Sequence, residues 1–182
     1  LSEHIARRAG VNVHVLADRG DHASIIDKVG EPWTNFPYHL FSSDTSVQQR
    51  RWLLLHRPIA EHYWPEAEIV HCMGESYVPT SKAKLVVTAH DAAYFDRGAH
   101  PANLATWMQS FKWRILYRTL SKTADAFHTV SHFSADRLGH AFPALRSRLR
   151  VIYHADAPAF LAPLQAQGTQ FLRTKGLANH PS

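Results

Sequence analysis

Leu85-Val86-Val87-Thr88-Ala89-His90-Asp91-Ala92-Ala93-Tyr94 is a run of apolar and β-branched residues that stops at a histidine–aspartate pair. Parallel strands covered on both faces read as short continuous apolar runs, so this stretch predicts a central strand over 85–89 that ends at His90. Comparable runs stand at Ile69-Val70-His71-Cys72-Met73, at Ala126-Phe127-His128-Thr129-Val130 and at Leu149-Arg150-Val151-Ile152-Tyr153. Helical spacing fills about 103–122 and 131–142 between them. Strands alternating with helices predict an α/β fold: a Rossmann-like, doubly wound, mainly parallel sheet with helices on both faces.

Toward the N-terminus, Leu1, Ile5 and Ala9 recur at helical intervals before Gly10, and Val11, Val13 and Val15 alternate as a strand. A strand is expected to precede that helix, so we expect 1–163 to be an N-terminal domain lacking its first strand. Residues 18–45 read as loop, with one short strand near Tyr38 to Phe41. Ser46-Val47-Gln48-Gln49 has capping-box spacing, and Trp52, Leu55, His56, Ile59, Ala60 and Tyr63 predict a helix kinked at Pro58. After Ala162-Pro163 a polar, Gly-containing stretch leads to Phe171-Leu172, so 164–182 reads as a linker and the stub of a second domain.

The chain has 182 residues, of which 45% are hydrophobic and 19% charged, enough to bury a core and too apolar for a disordered chain. Apolar runs such as Trp52 to Leu55 are far too short to span a bilayer, and no signal-peptide pattern opens the chain. A single cysteine, Cys72, cannot build a disulfide framework. A cytoplasmic protein is expected. Of the net charge of +5, residues 101–150 contribute +6, while 1–50 and 51–100 carry −1 each and 151–182 carry +1. Fourteen histidines should make the molecule more positive just below neutrality.

Ligands of open parallel sheets bind outside the carboxyl ends of the strands. The residues there are Gly74-Glu75-Ser76, His90-Asp91-Ala92-Ala93-Tyr94, Ser131-His132-Phe133-Ser134 and His154-Ala155-Asp156. Their positions predict one rim of polar side chains. Ser131, at a strand-to-helix junction, is either a plain helix cap or part of an anion-attracting helix start. His90-Asp91 could bind hydroxyls, polarise a leaving group or tie down the next loop, and His154-Ala155-Asp156 could be a simple turn. His71, Cys72, His90, Asp91, His154 and Asp156 are ligand types, but without His-Glu-x-x-His, paired cysteines or His-x-His no metal site is expected. Gly-x-Ser-x-Gly, Gly-x-Gly-x-x-Gly and Walker sequences are absent as well.

Arg114, Arg118 and Lys122 follow one another at four-residue intervals along the long helix. We expect Leu104, Trp107, Met108, Phe111 and Ile115 on the opposite, core-facing side, with the basic residues solvated. Such a stripe also suits an anionic membrane surface or, less well, a nucleic acid.

Three segments in register resemble the N-terminal half of family 4 glycosyltransferases: Leu85 to Tyr94 with its His-Asp strand end; Ala124-Asp125-Ala126-Phe127-His128-Thr129-Val130-Ser131-His132-Phe133-Ser134-Ala135-Asp136; and Arg150-Val151-Ile152-Tyr153. The resemblance implies one half of a GT-B fold, in which two Rossmann-like halves face a cleft and the N-terminal half holds the acceptor. It implies retaining transfer from a nucleotide-sugar to an acceptor (glycan, lipid or small molecule), without a metal or other cofactor. Carried over by position, His90 and Asp91 are the expected catalytic pair, and Ser131 and Ser134 expected contacts to the acceptor or donor sugar; Glu75 and Tyr94 join these contacts from the strand-end rim. For the basic stripe of Arg114, Arg118 and Lys122, an anionic membrane, met peripherally at the inner face, is the alternative to a solvated face. The Gly of the family's usual Pro-Asn-Gly-Val-Asp is replaced here by Tyr153-His154-Ala155-Asp156-Ala157. The alternative is a non-catalytic Rossmann-like binding module that uses the basic helix.

Overall fold

The apolar run at 85–89 is a strand in the computed structural model, which describes residues 11–28, 33–92, 95 and 104–153. The order of elements is β1 (Val15–Asp18), α1 (Arg19–Lys28), β2 (Tyr38–Phe41), α2 (Thr45–Leu55), α3 (Ala60–Tyr63), β3 (Ile69–Cys72), β4 (Lys84–Ala89), α4 (Leu104–Thr123), β5 (Ala126–Thr129), α5 (His132–Ala141) and β6 (Leu149–Val151). Every pairing is parallel: β1 with β2, and β3-β4-β5-β6 in that spatial order as a separate four-stranded sheet. This is the Rossmann-like α/β architecture, with the described strands divided between two sheets. Residues 1–151 make one compact unit and 152–182 a second, of which Ile152 and Tyr153 are described.

Alternation along β4 explains its central place. Leu85, Val87 and Ala89 are fully buried on one face, and Thr88 is buried on the other. Phe127 lies opposite Val87 across the β4–β5 register, and Leu116, Tyr117, Leu120, Leu138 and Leu145 complete the core. Asp125, of the Ala-Asp segment, is a fastening. Its side chain accepts the Leu85 N–H (2.9 Å) and meets Lys84 Nζ at 3.0 Å, while its own N–H donates to Leu85 O. Arg148 donates to the carbonyls of Ser121 and Ala124, satisfying the end of α4.

Several sequence expectations are corrected. The first strand begins at Val15, not Val11, and 19–28 is a helix, where loop was expected. Its start is stabilised by the Asp18 carboxylate accepting the Asp21 N–H at 2.8 Å. The cap of α2 is Asp44, whose carboxylate accepts Ser46 N–H, so the capping box expected at Ser46 is not the helix start. That helix does not kink at Pro58. It ends at Leu55 with His56 in the left-handed region (φ 51°), and the helix cannot run on through Pro58, which lacks the N–H and disfavours the helical region for Arg57 before it.

The largest correction concerns α4. Trp107, Met108, Phe111 and Ile115 were expected in the core, yet they are 64%, 55%, 52% and 41% exposed. The buried stripe is Leu116, Tyr117 and Leu120, with Trp113 packed against the core. Helical geometry gives the reason. Seven residues are nearly two whole turns, so Trp107 and Arg114, Phe111 and Arg118, Ile115 and Lys122 share a face and cannot lie on opposite sides. Arg114, Arg118 and Lys122 are exposed, as expected. No helix among the described residues is long and apolar enough to cross a membrane. The helix expected over 1–10, Tyr94, and the His154-Ala155-Asp156 turn with the linker after it lie outside the described residues.

Candidate functional site

Parallel pairing puts the carboxyl ends of β3, β4 and β5 side by side. Cys72 is the register partner of Val87, and Ala89 is that of Thr129. Gly74-Glu75, His90-Asp91 and Ser131 therefore stand in a row along one sheet edge, at strand intervals of about 4.8 Å.

Glu75 and His90 are joined directly. Glu75 Oε1 accepts the backbone N–H of His90 at 2.8 Å and that of Asp91 at 3.2 Å. The His90 ring turns back toward the neighbouring strand, where Nε2 lies 2.9 Å from Met73 O. A carbonyl can only accept, so Nε2 carries the hydrogen in this contact. His90 and Asp91 are exposed, while Ala92 directly after them is buried and anchors the turn. The pair is thus held by its backbone and one ring nitrogen on a surface open to solvent.

Beneath this turn lies Tyr117 of α4. Its ring is 1% exposed, and its hydroxyl is buried with no hydrogen-bond partner. Burial drives its pKa far above the ordinary tyrosine range, and the charges of Glu75 and Asp91 add to the rise. The hydroxyl therefore keeps its proton and is a donor within the electrostatic reach of both carboxylates.

Ser131 acts as the cap of α5. Its Oγ accepts Ser134 N–H at 3.1 Å and lies 3.0 Å from Ser134 Oγ. Ser134 itself is buried, so of the two serines only the half-buried Ser131 borders the rim. The structure thus brings together Glu75, His90 and Asp91, places Ser131 on the next strand end, and turns Ser134 inward. Arg114, Arg118 and Lys122 belong to α4 and not to the strand-end row. Tyr94 is outside the described residues. Sequence reasoning missed Met73 O and Tyr117. A backbone carbonyl leaves no side-chain signal, and Tyr117 reads as one more apolar helix residue.

Among the described residues, no group of three His, Cys, Asp or Glu side chains could hold a metal ion. The family model described as Glycosyltransferase Family 4 matches residues 1–155. Comparison with curated proteins and with solved structures finds no match.

Proposed function

Because the chain belongs to glycosyltransferase family 4, we propose that the rim of Glu75, His90, Asp91 and Ser131 is the acceptor side of a sugar-transfer site. The donor in this proposal is a nucleotide-sugar, and transfer retains the configuration at the anomeric carbon. The acceptor is a hydroxyl of a glycan, lipid or small molecule. The observation that carries the reading is the Glu75 clamp, which holds two successive amides of an exposed His-Asp pair at a parallel strand end. Such a clamp fixes the backbone that carries the imidazole. His90 meets the hydroxyls of the reacting sugars, Asp91 orients the loop, and Ser131 borders the acceptor. No metal has a part in this proposal. Peripheral contact of Arg114, Arg118 and Lys122 with an anionic membrane at its cytoplasmic face belongs to it.

The test is His90→Ala in a two-domain protein completed with a donor-binding half, assayed by release of nucleoside diphosphate from uridine- and guanosine-diphosphate sugars. A loss of about 10²-fold or more in kcat/KM is expected, in the range of a positioned polar catalytic group. Lys82→Gln, just ahead of the amino end of β4, should leave the rate unchanged. Full activity in the His90 variant removes the assignment.

A further inference from the structure

We infer that α4 docks on an anionic lipid bilayer through Trp107, Met108, Phe111 and Ile115, with Arg114, Arg118 and Lys122 on the headgroups. These four apolar side chains form a continuous exposed stripe, and the rings of Trp107 and Phe111 stack at 5.7 Å with an 11° interplanar angle. Large apolar residues gathered on one exposed helix face mark an interaction surface, and Trp in particular favours a boundary between water and hydrocarbon.

Charge selects the occupant. From Leu104 to Thr123 the helix carries Lys112, Arg114, Arg118 and Lys122 and no acidic residue. A second copy pairing face to face would set like charges against each other. Segments of this chain outside the described residues offer four isolated acidic residues and no acidic cluster to match the helix: Glu3, beside Arg7 and Arg8; Glu31; Asp96, beside Arg97; and Asp156. A nucleic acid would satisfy the cations and leave Met108 and Ile115 in water. An anionic bilayer meets both needs: acyl chains receive the apolar residues, and the long basic side chains reach the headgroups.

The face is also graded along its length. Trp107, Met108 and Phe111 lie in the first half of α4 and Ile115 just past its middle, while Arg118 and Lys122 continue the same face in the last turns. In a strand–helix–strand unit with parallel strands the helix returns antiparallel, so the apolar half lies toward the carboxyl ends, where His90 and Ser131 stand. Docking by this face brings the rim toward the lipid. The inference extends the basic-helix contact proposed above and does not depend on sugar transfer.

Co-sedimentation of the 182-residue chain tests it, with vesicles of phosphatidylcholine alone and with phosphatidylglycerol added. Binding to the anionic vesicles at least about 10-fold above the neutral ones is expected, falling with added salt. Trp107→Ser with Phe111→Ser should lower that binding by about 10-fold or more. Met108→Gln with Ile115→Gln provides an independent pair should the first alter the thermal melt. Equal partitioning into both vesicle types overturns the electrostatic contact, and full binding by either apolar pair overturns the inserted face. Absence of vesicle binding, with a dimer in light scattering that the apolar pair abolishes, assigns the face to a second copy and also overturns the proposal. Vesicle binding by this chain, together with normal sugar transfer by the His90→Ala variant of the two-domain protein, leaves docking standing and removes the transfer site instead.

Discussion

Glu75 shows how one carboxylate can order a rim through the backbone alone. With a single oxygen it accepts two amides, and the second strand end is thereby tied to the first. Glu75→Ala should lower kcat/KM by about 10-fold or more in the completed enzyme, with a stability loss of only about 1 kcal/mol because the site is open to water. Glu75→Gln, which keeps an accepting oxygen, should recover much of the rate. Two histidines carry a different consequence. Burial lowers the pKa of His71 and of His39, with His128 and His14 respectively adding to the effect. His71 Nε2 lies 2.8 Å from Thr88 Oγ1, which in turn lies 3.2 Å from His128 Nδ1. As pH falls below about 6.5, the unfolded chain takes up protons that these folded histidines refuse, so the folded state loses stability. Denaturant titrations at pH 7.5 and at pH 5.5 should show lower stability in acid, and His71→Gln should reduce the difference. An unchanged pH response in that variant would show that His71 does not contribute.

At the scale of elements, α4 is apolar on both sides and buries one. Leu120 is fully buried and Ile115 is 41% exposed, although both are branched aliphatic residues of the same helix. Leu120→Ala should cost about 2–5 kcal/mol, because it removes contacts in a closed core. Ile115→Ala should cost less than about 1 kcal/mol. Thermal or urea melts of the two variants decide the matter, and comparable losses would mean that the helix sits rotated from the face described. At the start of α5, Ser131→Ala should cost about 1 kcal/mol through loss of the bond to Ser134 N–H. Ser131→Asp, which still caps, should restore stability whether or not it restores sugar transfer. Capping and catalysis are thereby separable at this residue.

The unit of residues 1–151 depends on a few ties between its layers. His14 stacks on Trp64 at 3.8 Å and its Nδ1 lies 2.8 Å from His39 Nε2, joining the β1–β2 pair to the segment that leads into β3. Glu61 of the four-residue helix α3 accepts the N–H groups of Ser81, Lys82 and Ala83 at 2.8, 2.7 and 2.9 Å, just ahead of β4. Burial alone would raise its pKa, but these amides outweigh burial and bring it down to about 2. A depressed carboxylate stabilises the fold above the unfolded value, near 4.5, and that contribution is lost as pH falls toward 2. Glu61→Ala should therefore lose about 1 kcal/mol at neutral pH, a figure reduced for solvent screening, and should show a shallower acid transition over that interval. Urea melts from pH 6 to pH 3 measure both effects, and an unchanged midpoint at neutral pH rules out this tie.

Strands β3 to β6 follow from local sequence, because a parallel strand covered on both faces must be a short apolar run and because each run here ends in polar residues. The strand-end row of Glu75, His90 and Ser131 follows too, since parallel direction carries every carboxyl end to the same edge. Local pattern also marks α4 as a helix. It does not say which side of α4 is buried: periodicity records where apolar side chains recur, and this helix has them all round. The choice of Leu116, Tyr117 and Leu120 over Trp107, Phe111 and Ile115 is made by the sheet they cover. The same holds for α1, which buries no residue and so has no apolar stripe to announce it. Glu61 reads as an ordinary surface carboxylate, and Glu75 as a rim residue with no sign of its backbone tie, until folding brings backbone amides 15 to 22 residues away in sequence within hydrogen-bonding distance. Sequence alone determined strands β3 to β6, the helices α4 and α5 between them, and the edge where their polar ends gather. Tertiary structure alone decided which faces are covered and which charges are tied down, because both depend on neighbours distant in sequence.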